Sequence, residues 1–403
     1  MAVSSHPLDR RGRSAPSRAT GQWPERADDF SQALVLPVGL VVDRLGPASS
    51  GALILIREFL RLADRAGFTT LTEPSAAGGA GLSGGEACRI LIMLSEGDAA
   101  LGALIALSRA PARCIAAARR LEPGSRGHIE VPLPISDRAG CLVPRGPGQL
   151  RLRREGSGWR LSGFTRDVLS GAAIASHAAV ECWVQDGGAH PVVAIVPLNR
   201  PGVRRIPAPH ASGRRAGAAA ALAFDALWLE PERVLDADEG GAGRLSSWLR
   251  ATGHLAEALA ALGVARAAHR GATRWRAEHG LAPAPSLGRL GGRLTHAERA
   301  LEVLCVRLET DALGELGSVA VQALGLRRGI AQLAVALSRW ALLSCGSGAV
   351  DAEGVQHMDR TRFHPEKLFR DARAGRPAPS AEDPPAARLT ASPSSNRSMS
   401  WAT

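Results

Sequence analysis

The chain predicts a multi-domain α+β fold in the order helices, strands, helices. Three observations carry this expectation. Apolar residues recur at three-to-four spacing between positions 50 and 120. Short alternating runs, punctuated by Gly, Pro and Asp, fill 123–242. Long Ala/Leu-rich helical runs follow after 243, as expected of a bundle. At 403 residues the chain exceeds one ordinary core and suggests two or three domains.

Residues 1–28 are rich in Arg, Ser, Pro and Gly without an apolar period, and read as a disordered leader rather than a targeting peptide. The helical N-terminal domain spans 29–122. Leu53, Ile54, Ile56, Phe59, Leu60, Leu62 and Ala63 share a helical period, so 50–67 should be an amphipathic helix ending at Gly67. Ser83 and Glu86 form a capping-box pattern that opens a helix over 84–94. A further helix is expected over 99–120. Between them Gly79, Gly81 and Gly84 match the GxGxxG pattern of a dinucleotide-binding turn. No strand precedes it and no βαβ unit surrounds it, so it reads as a turn joining two helices.

The central domain, 123–242, should be an antiparallel barrel or sandwich with strands at 128–132, 150–153, 159–163, 178–185, 192–197 and 221–229. The C-terminal bundle, 243–375, is expected to place helices at 245–276, 290–310 and 313–343. The Pro-, Ser- and Ala-rich stretch 376–403 reads as a disordered tail.

The net charge of +11 would ordinarily suggest nucleic acid. Lys367 is the single lysine, however, and tyrosine is absent, which is the mark of a GC-rich coding sequence. The arginines are scattered without aromatic stacking partners, so nucleic-acid binding is not expected. The six cysteines form no Cys-x-x-Cys and no two histidines stand at i,i+4, so no metal site is expected and a reducing cytoplasm fits. The best apolar run, 90–107, is interrupted by Ser95, Glu96 and Asp98, and no membrane span is expected.

Three segments occur together in one order. The first is Gly67 to Gly102, with Pro74, the glycines at 78–81 and Leu94-Ser-Glu-Gly-Asp. The second is Gly202-Val203 followed by Leu222-Ala-Phe-Asp-Ala-Leu-Trp-Leu-Glu-Pro-Glu-Arg-Val-Leu235. The third is Phe369-Arg-Asp-Ala-Arg-Ala-Gly375. Together they resemble the acyl-CoA dehydrogenase superfamily of flavoproteins over about residues 30 to 376. The resemblance implies a helical N-terminal domain, a central β-domain and a C-terminal four-helix bundle. It also implies FAD (or FMN) as cofactor, an acyl-CoA, carrier-bound acyl or other small-molecule substrate, and a homodimer or homotetramer.

Carried over residue by residue, the resemblance places Ser170 and Gly171 at the strand end that lines the flavin ring. An edge strand with a bulge is the alternative reading of that segment. Gly346, Ser347 and Gly348 stand where a glycine turn approaches the flavin pyrophosphate, or else they cap a helix. Arg370 and Asp371 read as a structural ion pair. The departures are informative. The glutamate that abstracts the α-proton in the family is replaced by Pro379 at one known position and by Gly253 at the other. Glu257 lies about one turn beyond and reads first as a solvated or ion-paired carboxylate. The pyrophosphate arginine motif is lost around Arg276 to Gly280.

Three functions follow from this reading. The first is a flavin-dependent oxidoreductase of acyl-CoA dehydrogenase type without its usual glutamate. The second is a flavin-dependent monooxygenase on the same scaffold, for which His357 and His364 are candidate histidines near the flavin. The third is a homologue without catalysis, acting as a binding or scaffold protein.

Overall fold

Trp23 is already helical, inside the stretch expected as leader. The computed structural model describes residues 22–47, 49–121, 140–143, 150–165, 170–185, 190–207, 213–235, 243–310, 315–345 and 364–374. Helix α1 (Trp23–Phe30) passes through a π-turn, Ser31–Val35, into α2 (Leu36–Leu45). The π-turn stands directly before Pro37, whose missing N–H and bulky ring exclude an ordinary i→i−4 bond. The mostly polar sequence of α1 concealed it. Trp23 nevertheless packs edge-on against Phe68 with ring centroids 5.7 Å apart, and this tertiary contact orders the segment.

Helix α3 (Ser50–Arg65) follows the expected period and buries Ile56, Phe59, Leu60 and Ala63. Gly67, at φ +86°, ends it, with its N–H on Asp64 O and the Phe68 N–H on Ala63 O. Helix α4 (Gly84–Gly97) opens on the expected box: the Ser83 N–H donates to Glu86 Oε2 at 2.9 Å, and the Glu86 N–H donates to Ser83 Oγ at 3.3 Å. The helix expected over 99–120 is broken into α5 (Ala99–Leu107) and α6 (Ala110–Leu121). Pro111 explains the break, since its ring collides with the carbonyl four residues back. The stretch Ala99–Ala117 is long and apolar enough to cross a membrane, further along than the run read from sequence, but 72% of it is buried inside the protein.

The central strands are β1 (Gly140–Val143), β2 (Leu150–Glu155), β3 (Gly158–Phe164), β4 (His177–Val184), β5 (Pro191–Pro197), β6 (Val203–Pro207), β7 (Ala220–Leu229) and β8 (Val234–Leu235). They form one sheet in the order β6-β7-β3-β2-β4-β5-β8, with β1 on β4. The pairing is mixed rather than wholly antiparallel, because β4 runs parallel to both β1 and β2. β4 follows β3 in the chain yet pairs with β2, so the two are not joined by the tight hairpin that would set neighbouring strands side by side. The strand expected at 128–132 lies outside the described residues. Alternation places Ala178, Val180 and Cys182 in the sheet's own core, while Ala179 on β4 and Val193 and Ile195 on β5 face the helical bundle.

The bundle consists of α7 (Arg244–Glu278), α8 (Pro285–Thr310), α9 (Leu316–Cys345) and the short α10 (Pro365–Ala374). Buried residues occur all round α7 between Trp248 and Ala265, as expected of a central helix. Gly102 and Gly263 both abut Ser95, and a Cβ on either would collide with it, so α4, α5 and α7 approach almost backbone to backbone.

Candidate functional site

The expected flavin-strand residues lie in a turn after β3. Gly171 adopts φ +80°, which glycine tolerates best, and its N–H donates to Gly217 O at 2.7 Å. The Ala173 N–H donates to Ala218 O at 2.9 Å. These two bonds seat the Ser170–Gly171 turn on a loop, residues 213–218, that precedes β7. Arg214 (φ 52°) and Ala218 (φ 44°) flank that loop in the left-handed region, a costly conformation for non-glycine residues. A Cβ placed on the buried Gly217 would lie 3.8 Å from Ser170 Oγ and 3.9 Å from Ala100 Cβ, so this glycine packs between the turn and the start of α5.

Arg214 holds this loop from both ends. Its backbone N–H donates to Asp371 Oδ1 at 2.6 Å, and its Nη1 donates to Glu257 on α7. The Glu257 side chain is 23% exposed. Burial alone would raise its pKa, but the Arg214 and Arg327 guanidiniums outweigh burial and hold the carboxyl below its usual range. Arg327 also approaches His254, with Nη1 3.4 Å from Nδ1. Glu257 is therefore an ion-paired carboxylate. Gly253, at the position of a base in the resemblance, is buried and supplies no side chain.

The Arg370–Asp371 ion pair expected from sequence is replaced by two separate attachments. Arg370 donates to Asp43 on α2 at 2.7 and 3.2 Å, with Arg215 also 3.7 Å from that carboxylate. Asp371 instead receives Lys367 Nζ at 2.6 Å, and Lys367 donates again to Asp98 at 2.7 Å. Adjacent residues on a helix project about 100° apart and do not face one another, which excludes the simple pair. Sequence reading missed Arg214, Asp43 and Asp98. The one available signal was Lys367, a lone lysine in an arginine-rich chain.

His364 stands half-buried just before α10, where its carbonyl accepts from the Leu368 N–H at 3.0 Å. His357, Gly346, Ser347 and Gly348 lie outside the described residues. Arg276 is engaged at the end of α7, its Nε donating to Ala282 O at 3.1 Å, while Trp275 stacks on His279 at 4.2 Å.

The arrangement of helical layer, mixed sheet and bundle corresponds to that of known structures. Dibenzothiophene monooxygenase (TdsC) from Paenibacillus sp. A11-2 superposes with a TM-score of 0.66 at 19% identity, over 88% of this chain and 92% of that one. Butyryl-CoA dehydrogenase from Megasphaera elsdenii does so with a TM-score of 0.68 at 17% identity, over 88% and 93%. A glutaryl-CoA dehydrogenase in complex with glutaryl-CoA gives 0.68 at 16% identity, over 89% and 91%. The chain has the acyl-CoA dehydrogenase fold. No family model matches the sequence, and no curated protein matches it.

Within the acyl-CoA dehydrogenase fold, the glycines of the GxGxxG pattern have steric roles. Gly81 adopts φ +65° and its N–H donates to Glu73 O at 2.8 Å, while a Cβ on Gly84 would stand 2.6 Å from Cys305 O on α8. The pattern is a turn and a helix contact, as its position between helices predicted.

Proposed function

We propose that the protein is a flavin-dependent oxidoreductase working on the acyl-CoA dehydrogenase fold, with FAD as cofactor and FMN as the alternative. The Ser170–Gly171 turn supports this reading, because it carries a half-buried hydroxyl next to two glycines, Gly171 and Gly217, that have no side chain to stand against a ring. That arrangement fits the polar edge of a flavin ring. Ser170 would hydrogen-bond the ring edge, and Gly171 and Gly217 would leave room for it. The flavin would supply the two-electron chemistry. Acyl-CoA, a carrier-bound acyl group or another small molecule is the proposed substrate class, and a cytoplasmic homodimer or homotetramer is the proposed state.

The position of Glu257 favours a second, sharper reading. A general base needs a pKa near the working pH and a free lone pair. Glu257 has a lowered pKa and is engaged by Arg214. Gly253 offers no group at all. A reaction without α-proton abstraction therefore fits these residues better, and oxygenation by reduced flavin is such a reaction.

The decisive experiment is the visible spectrum of the purified protein after incubation with FAD or FMN and desalting. Retained flavin absorbance supports the assignment, and a protein that stays colourless with both flavins and also fails to bind reduced flavin overturns it. Anaerobic butyryl-CoA then separates the two reactions. Prompt bleaching would mean that another base exists and that oxygenation is wrong.

A further inference from the structure

Helices α4 and α8 cross in opposite directions at very short range. A Cβ on Gly84 would stand 2.6 Å from Cys305 O and 2.8 Å from Glu309 Oε2, and one on Gly85 would stand 3.4 Å from Val306 Cγ2. Further along α4, Arg89 pairs at 3.6 Å with Glu302, which comes earlier on α8. Two glycines without side chains thus let the helix backbones nearly touch. Cys88 lies one turn beyond Gly84 on the same face of α4, so Cys305 sits between the two. The Cys88 thiol is hydrogen-bonded to that of Cys305. A disulfide needs Cα atoms about 4.4–6.8 Å apart, and helices in backbone contact supply that range.

The two thiols differ in access. Cys88 is 1% exposed, whereas Cys305 is only partly buried. Both line a cleft of about 70 Å³ between α4, α5, α7 and α8, which has room for a molecule little larger than water. The bond to Cys305, together with burial, holds the Cys88 pKa well above the usual thiol value, so Cys88 stays protonated. Cys305 is therefore the sulfur that a small oxidant reaches first. Cys114 and Cys182 are both 0% exposed, and Cys182 lies in the core of the sheet.

We propose that Cys88 and Cys305 form a site of reversible oxidation, joined by hydrogen peroxide into a disulfide that staples α4 to α8. Cys305 Sγ attacks one peroxide oxygen and the O–O bond breaks, giving a sulfenic acid and one water. Cys88 Sγ then attacks Cys305 Sγ, and its proton leaves with the sulfenic hydroxyl as a second water. Two thiols are oxidised to one S–S bond, and one peroxide is reduced to two waters. No flavin is needed for this chemistry. The staple ties the N-terminal domain to the bundle, and thiol reductants release it.

The test treats the native full-length protein with a small excess of hydrogen peroxide, then denatures it in N-ethylmaleimide. Non-reducing digestion and mass spectrometry should find the Cys88 and Cys305 peptides linked, and dithiothreitol should separate them. The unfolding temperature should rise by about 5 °C on oxidation and return on reduction. In Cys88→Ser, dimedone should trap a sulfenic acid on Cys305. In Cys305→Ser, Cys88 should stay a free thiol. The wild-type peptide map decides the matter even where a variant fails to fold. The proposal is overturned if both cysteines carry maleimide after peroxide, if Cys305 proceeds to sulfinic acid beside a free Cys88, or if either links to another cysteine instead.

Discussion

Lys367 donates to Asp98 at 2.7 Å across 269 positions of sequence. The same ammonium donates to Asp371 at 2.6 Å, one turn along α10. Both carboxylates are fully used. Asp98 Oδ1 caps α5 by accepting from the Ala100 and Leu101 N–H groups, and Asp371 Oδ1 accepts from the Arg214 N–H. One small cation therefore joins the N-terminal helices, the loop before β7 and the last helix. A compact ammonium with three donors suits this crossing, whereas the planar arginine fork does not. That geometry accounts for a lysine in a chain that otherwise uses arginine throughout.

Replacing Lys367 by Met should be severe, because it leaves two buried carboxylates facing one another. Removing one partner of a buried ion network costs about 3–5 kcal/mol. Urea unfolding followed by circular dichroism measures it. A loss under about 1 kcal/mol would show that the junction contributes little to the fold.

Amine chemistry gives an independent check on the same residue. Burial would lower the Lys367 pKa, but Asp371 and Asp98 outweigh burial and push it well above the ordinary lysine value. The native protein should take up an amine-reactive ester only at its N-terminus. Unfolding in urea should add one further label, at Lys367, by intact-mass spectrometry. Native labelling of Lys367 would contradict its burial.

Glu181 on β4, with its side chain 0% exposed, binds Arg250 on α7. This ion pair ties the sheet to the bundle. Arg250→Ala should destabilise the protein by about 3–5 kcal/mol, since it strands a buried carboxylate. The double variant Glu181→Leu, Arg250→Leu should recover much of that loss. If the two single and double variants are equally unstable, packing rather than charge is responsible.

Asp43 and Glu257 are among the carboxylates whose lowered pKa values bear on acid stability. Burial would raise the Asp43 pKa, but the Arg370 hydrogen bond and charge bring it below the usual carboxylate range, and Glu257 is lowered in the same way by Arg214 and Arg327. A depressed folded pKa contributes stability above the unfolded value of about 4 and loses it as pH falls through the folded value. The unfolding temperature should therefore be insensitive to these groups from pH 6 to 8 and decline below about pH 4. Glu257→Gln should flatten part of that decline while leaving the pH profile of flavin reduction above pH 6 unchanged. A new or missing titration there would make Glu257 a proton-transfer group after all.

The sequence by itself determined the order of helices, strands and bundle, because each type has its own local period. Residues 50–65, the Ser83–Glu86 box and the alternation on β4 and β5 act over one to four positions, which a one-dimensional reading captures. It also determined the absence of a side chain at Gly253. Only the tertiary structure decided the rest. Helix α1 depends on Trp23 meeting Phe68, and the placement of β4 beside β2 instead of β3 depends on pairing across the sheet. Apart from the Lys367–Asp371 bond one turn along α10, the partners of Arg370, Asp371, Glu257 and Lys367 described above come from segments tens to hundreds of positions away. A pair energy is set by distance in space and by local burial, and neither quantity is encoded in spacing along the chain.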